Sequence, residues 1–169
     1  ESAFEEIQRL EYRIAEINHQ FETRTDYESK EYMQLIEEQT DVYTRLDMLG
    51  AGNVHEEIEK ILKGLGFDRK DFTRQTSEFS GGWRMRIELA KLLLQKPDIL
   101  LLDEPTNDLD VETISWLENF LADFTNTVIV ISHDRHFLDA VCTNICDIDF
   151  GKLSIYTGNY SFWYHMSQL

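Results

Sequence analysis

Residues 99–110, ILLLDEPTNDLD, constrain the fold more than any other stretch. Four consecutive aliphatic residues leave no polar side for a half-exposed strand, so they read as a parallel strand buried on both faces. Such a strand delivers Asp103 and Glu104 at its carboxyl end, where open α/β sheets bind ligands. Two carboxylates at one strand tip suit a magnesium-nucleotide site. One holds the metal through water, and the next takes a proton from an attacking water. The plainer alternative is a buried strand that ends in a solvated turn. Pro105 and the Thr-Asn-Asp-Leu-Asp run favour chemistry, because they fix the loop where the carboxylates emerge.

A second strand is expected over residues 127–131, after a helix whose apolar face carries Ile114, Leu117 and Leu121, widened by Trp116, Phe120 and Phe124. It too ends in polar chemistry, Ser132-His133-Asp134-Arg135, so neighbouring parallel strands place Asp103, Glu104 and His133 along one sheet edge. A lone histidine at a strand end is usually structural. Its arrival beside a carboxylate pair favours a ligand contact, most simply to a phosphate oxygen. Residues 145–150 and 153–156 alternate around Gly151-Lys152, a Gly-first turn, and predict a hairpin with Phe150 facing Leu153 and Ile148 facing Ile155. The aromatic tail, residues 158–169, is too short to fold alone.

The amino-terminal part is helical. Ile7, Leu10, Ile14, Ile17 and Phe21 form one seam. Tyr32, Leu35, Val42, Leu46 and Leu49 form another once Gln39 is accepted as a seam position. With residues 24–29 as a loop, this is an antiparallel hairpin standing out from a domain, whose plain reading is a coiled-coil spacer. Gly50-Ala51-Gly52 stops the second helix, and Asn53 is the expected cap of a shorter one ending at Gly64 and Gly66. Farther on, Phe79-Ser80-Gly81-Gly82-Trp83 opens a helix with Met85, Leu89, Leu92 and Leu93 on one face. Backbone N–H groups at Ser80, Gly81 and Gly82 make either an anion site or an ordinary serine cap. Arg84 and Arg86 add to the anion site or face solvent.

Bulk properties narrow the function classes. Sixteen basic against 32 acidic residues give a formal charge of −16, which opposes loose attachment to phosphate backbones or anionic membrane. Half of the acids lie in residues 1–60, mostly as a solvated helical surface. No apolar run reaches 18 residues and no cationic leader is present, so neither a membrane span nor a signal peptide is expected, and the cytoplasm is the expected compartment. Cys142 and Cys146 read as free thiols one helical turn apart, without nearby partners for a metal.

Taken in order, FSGGW, ILLLDEP, TNDLD and ISHDR resemble the signature motif, Walker B strand, D-loop and switch histidine of ATP-binding cassette (ABC) ATPases. The forms TNDLD and SHDRHFLD, with a GNYSFWY tail, look like the ABC-F group, and like its first cassette. The implied fold is α/β. It comprises a truncated P-loop NTPase core of ABC type with a parallel sheet, together with an α-helical subdomain containing the antiparallel helical hairpin. Residues 1–76 would be the helical subdomain, and residues 77–169 the signature helix and carboxyl-terminal half of the nucleotide-binding core.

The family's Walker A loop, GxxxxGK followed by Ser or Thr, is absent from this sequence, as are the preceding adenine-stacking aromatic and a recognisable Gln-bearing loop. The resemblance therefore implies a carboxyl-terminal part of a cassette cut from a longer protein, itself inactive. In the intact protein it assigns Asp103 to Mg²⁺ through water, Glu104 to the attacking water and His133 to the γ-phosphate of ATP. Ser80, Gly81 and Gly82, with Asp108 and Asp110 of the D-loop, would bind ATP across the interface with a second cassette of the same chain or a homodimer. ABC-F membership implies a translation factor with the ribosome as partner and no direct membrane insertion. A transporter ATPase subunit and a non-enzymatic helical interaction module are the alternatives. Without the upstream strands, an exposed sheet edge would let the fragment self-associate.

Overall fold

The computed structural model describes residues 3–169, and the chain divides into two compact units, Glu1–Glu57 and Ile58–Leu169. In the first, α1 (Ala3–Thr23) and α2 (Lys30–Met48) pack along the two heptad seams, burying Ile7 and Ile17 against Leu35 and Val42. Cross-helix pairs fix the antiparallel register. Arg45 Nε donates to Glu6, 2.7 Å away, and Arg13 binds Glu38 through two bonds of 2.6 and 2.8 Å. Gln39 does occupy the seam, where its amide donates to Asn18 Oδ1 at 2.8 Å. The connecting loop is held by Asp26, which accepts from both Arg24 and Ser29; these bonds keep its carboxyl well below the usual carboxylate range. Ser29 then caps α2 by accepting from the Tyr32 amide.

Helix α3 (Ala51–Gly64) begins two residues before the expected Asn53 cap. Gly50, at φ 68, reverses the chain in one step, and its carbonyl already accepts the first helical bond from Val54.

The second unit is built on β1 (Ile99–Asp103) and β2 (Thr127–Ile131), paired in parallel with Asp103 opposite Ile131. Leu100 and Leu102 point into a core shared with Leu65 of the segment following α3, Leu93 of α4 (Gly81–Gln95), Leu117 of α5 (Val111–Ala122) and Phe137 of α6 (Arg135–Val141). The expectation of a strand buried on both faces is corrected. Ile99 and Leu101 are 58% and 66% exposed, and Ile129 and Ile131 beside them are also exposed. The helices that close the core cover one side of this two-stranded sheet, so alternate residues of an all-aliphatic strand face solvent.

Strands β3 (Asn144–Asp149) and β4 (Lys152–Thr157) form the expected antiparallel hairpin in a shifted register. Ile148 faces Leu153 and Cys146 faces Ile155, because the turn is Phe150-Gly151 rather than Gly151-Lys152. Both turn residues have positive φ, 46° and 74°, the geometry whose twist matches the flanking strands. Cys146 therefore lies in a strand while Cys142 closes α6, so the helical spacing expected of them is not formed; both are free thiols, and burial pushes the Cys142 thiol up. The aromatic tail folds as α7 (Tyr160–Ser167), where Ser161 donates twice to Asp139 of α6, at 2.8 and 2.9 Å.

Candidate functional site

The parallel register brings the ends of β1 and β2 level, so their chemistry emerges on one edge. Asp103 is the last residue of β1, and Glu104 continues the ladder by donating its amide to the Ile131 carbonyl at 2.7 Å. Glu104 itself has φ 47, a left-handed conformation rare for a side-chain-bearing residue, and it is followed by Pro105. Beyond β2 the chain is set by two local bonds. The Asp134 amide donates to Ser132 Oγ at 3.0 Å, and the Asp134 carboxylate caps α6 by accepting from the Phe137 amide at 3.1 Å. With Phe137 fully buried beneath, His133 is fixed between strand and helix.

These constraints join Glu104 to His133. The His133 amide donates to both Glu104 carboxylate oxygens, at 3.1 and 3.3 Å, and its Nδ1 bonds the nearer of them. The ring bond is the main cause of paired shifts: Glu104 is held below the ordinary carboxylate range and His133 above the ordinary imidazole value. Asp103 adds to the second shift, so its negative charge also acts on the ring. With Nδ1 committed to the carboxylate, Nε2 is left for another partner on a side chain that is 95% exposed.

The loop after Glu104 is compact. Asn107 donates its amide to the Glu104 carbonyl and Leu109 to that of Thr106, both at 3.2 Å, while Asp108 takes a left-handed φ of 62°. Asp110 is the N-cap of α5, accepting from the Thr113 amide at 3.2 Å; hydrogen bonding to the Thr113 side chain first, and to its amide second, holds the Asp110 carboxyl below the usual range. Its carboxylate thus secures the loop to the helix.

Ser80, Gly81 and Gly82 stand on a separate element, the start of α4. Ser80 occupies the cap position, yet its side chain makes no capping bond. A methyl built on either glycine would meet nothing within 4 Å, so the first turn is open to an approaching group. Its leading N–H groups have no intrahelical partner, as at any helix start. Of the two arginines that follow, Arg84 is exposed and Arg86 half-buried, and both are tied to backbone carbonyls. Arg84 Nε donates to the Phe79 carbonyl at 3.1 Å, and Arg86 Nη1 to the Leu65 carbonyl at 2.7 Å. Arg86 also reaches the Asp108 carbonyl at 3.4 Å, a link between α4 and the loop after Glu104 that no sequence spacing announces.

The ABC transporter family profile matches residues 4–107, more than half of the chain. The uncharacterized ABC transporter ATP-binding protein YkpA of Bacillus subtilis is 52% identical over 121 residues, 72% of this chain and 22% of that protein. ABC transporter F family member 2 of Dictyostelium discoideum is 49% identical over 124 residues, 73% of this chain and 21% of that one. ABC transporter ATP-binding protein ARB1 of Saccharomyces cerevisiae is 39% identical over 161 residues, 92% of this chain and 26% of its own length. Among solved structures, cbiO1 from Clostridium perfringens aligns with a TM-score of 0.49 and 24% identity, covering 70% of this chain and 48% of that one. The chain therefore spans about a quarter or less of the curated relatives it matches. It belongs to the ABC transporter family of ATP-binding cassettes.

Proposed function

We propose that these residues are the carboxyl-terminal part of a cassette from an F-type ABC protein that, at full length, binds and hydrolyses ATP between two head-to-tail cassettes. The observation that supports this best is the meeting of Glu104 and His133 beside Asp103 on one edge of the parallel sheet. Asp103 presents hard oxygen donors at an exposed strand tip, the kind of site Mg²⁺ shares with waters and substrate phosphates. When bound there, the ion supplies neutralisation of phosphate charge. Glu104 orients and polarises the attacking water, and His133 Nε2 donates to a γ-phosphate oxygen. Turning the ring towards phosphate exchanges its carboxylate bond and frees Glu104 for water.

Ser80, Gly81, Gly82 and Asp108 face the nucleotide of the opposing cassette, in the same chain or a second copy, while Asp110 holds the loop that carries Asp108. ATP bound between the cassettes favours the closed pair, and loss of the γ-phosphate contact favours the open one. The helical hairpin, the F-type names among the relatives and the absence of any helix long and apolar enough to cross a membrane among the described residues agree with a ribosome-directed translation factor working in the cytoplasm.

The test is steady-state ATP turnover of the full-length protein and its Glu104→Gln variant, with nucleotide affinity measured separately. A loss on the order of 10²-fold in turnover with affinity retained is expected; unchanged turnover removes Glu104 as the base.

A further inference from the structure

Arg86 sits in the second turn of α4, and its guanidinium touches three other parts of the fold. Nη1 donates to the Leu65 carbonyl at 2.7 Å and reaches Thr113 Oγ1 at 3.5 Å, while Nη2 lies 3.4 Å from the Asp108 carbonyl. The guanidinium carbon, Cζ, lies over the Trp83 ring, 4.3 Å from its centre, and Trp83 packs edge-on against buried Phe67. Gly66 makes room for this arrangement. A Cβ there would come within 2.8 Å of Nη1, and its φ of 98° disfavours any side chain.

From this geometry we infer that Arg86 is a positioning residue that makes the signature turn and the D-loop one rigid unit. The inference rests on the proposed reading of Ser80–Gly82 and Asp108 as groups facing the opposing nucleotide. Asp108 holds a left-handed backbone with a side chain, a conformation that persists only when its surroundings determine it. The charge-assisted donor on its carbonyl is such a determinant. Thr113, buried at the start of α5, receives the same fork. A lysine offers one compact charge with no planar fork to divide among three acceptors and no face to stack on an indole. A displacement of the D-loop is therefore felt at Ser80 through one side chain.

The test uses the nucleotide-free full-length protein and its Arg86→Ala, Arg86→Lys and Gly66→Ala variants. Amide hydrogen exchange over residues 104–113 is compared with exchange in the rest of the chain. Arg86→Ala is expected to speed exchange at Asn107 and Leu109 about tenfold, the consequence of losing a charged hydrogen bond. Arg86→Lys should fail to restore protection, and Gly66→Ala should reproduce the loosening. In turnover assays Arg86→Ala should lower kcat about tenfold with little change in KM, since the phosphate cradle lies elsewhere. Unchanged D-loop exchange in a folded Arg86→Ala protein overturns the inference, as does exchange that rises equally throughout the chain. The exchange result is independent of whether Glu104 acts in hydrolysis, so the two readings fail separately.

Discussion

Glu104 combines two unusual features, a positive φ of 47° directly before a proline and a carboxylate occupied twice by His133. Backbone strain of this kind costs about 1–3 kcal/mol and persists where surrounding bonds over-determine it; here the Ile131 carbonyl holds the amide and His133 holds the side chain. Each charge favours the other. The raised His133 and lowered Glu104 together stabilise the fold fully between their ordinary values, about 4.3 and 6.5. That contribution fades as pH rises through the raised His133 value and as it falls through the lowered Glu104 value. His133 is nearly fully exposed, so solvent keeps the effect modest. Proton NMR titration should find the His133 ring midpoint above the ordinary histidine value, returning towards about 6.5 in Glu104→Gln. Equal midpoints in the two proteins would remove the pairing. The acidic pair and the histidine were legible because each closes an aliphatic strand. The left-handed turn at Glu104 was not, since nothing in Asp-Glu-Pro specifies a positive φ.

At the scale of elements, the helical hairpin was legible from its heptads, down to polar Gln39 in the seam. Ile17, fully buried, should cost about 2–5 kcal/mol when replaced by alanine, read as a lower thermal midpoint by circular dichroism. The Gln39–Asn18 bond permits a sharper measurement. Asn18→Leu alone leaves Gln39 without its acceptor and should lower the midpoint, whereas Asn18→Leu with Gln39→Leu should restore or raise it. A double variant less stable than the single one would mean that the bond does not govern the seam. The β3–β4 register differs from the expected one for a physical reason. A Gly-first turn is the simpler expectation, but Phe150 takes a left-handed φ and moves glycine to the second position, exchanging every cross-strand partner. Arg86 was equally hidden, because its acceptors belong to residues 21 and 22 positions away and become neighbours only when the chain folds.

For the whole molecule, two forces compete. The exposed aliphatic face of Ile99, Leu101, Ile129 and Ile131 favours association, and a net charge of −16 opposes it. Charge repulsion is screened by salt and apolar burial is not, so light scattering from the isolated 169-residue chain should show self-association that grows with ionic strength. Leu101→Lys with Ile129→Lys should abolish it; a monomer at every salt concentration would contradict this reading of the face. The same chain carries no GxxxxGK cradle, and calorimetric titration with Mg-ATP should show no micromolar binding. The proposed hydrolytic role of the strand edge is tested most directly by identifying the nucleotide that full-length Glu104→Gln retains at this site after incubation with Mg-ATP. Intact ATP is the expected result, with Glu104 absent as base and the phosphate contacts in place. Bound ADP, formed as fast as in the unaltered protein, would contradict it.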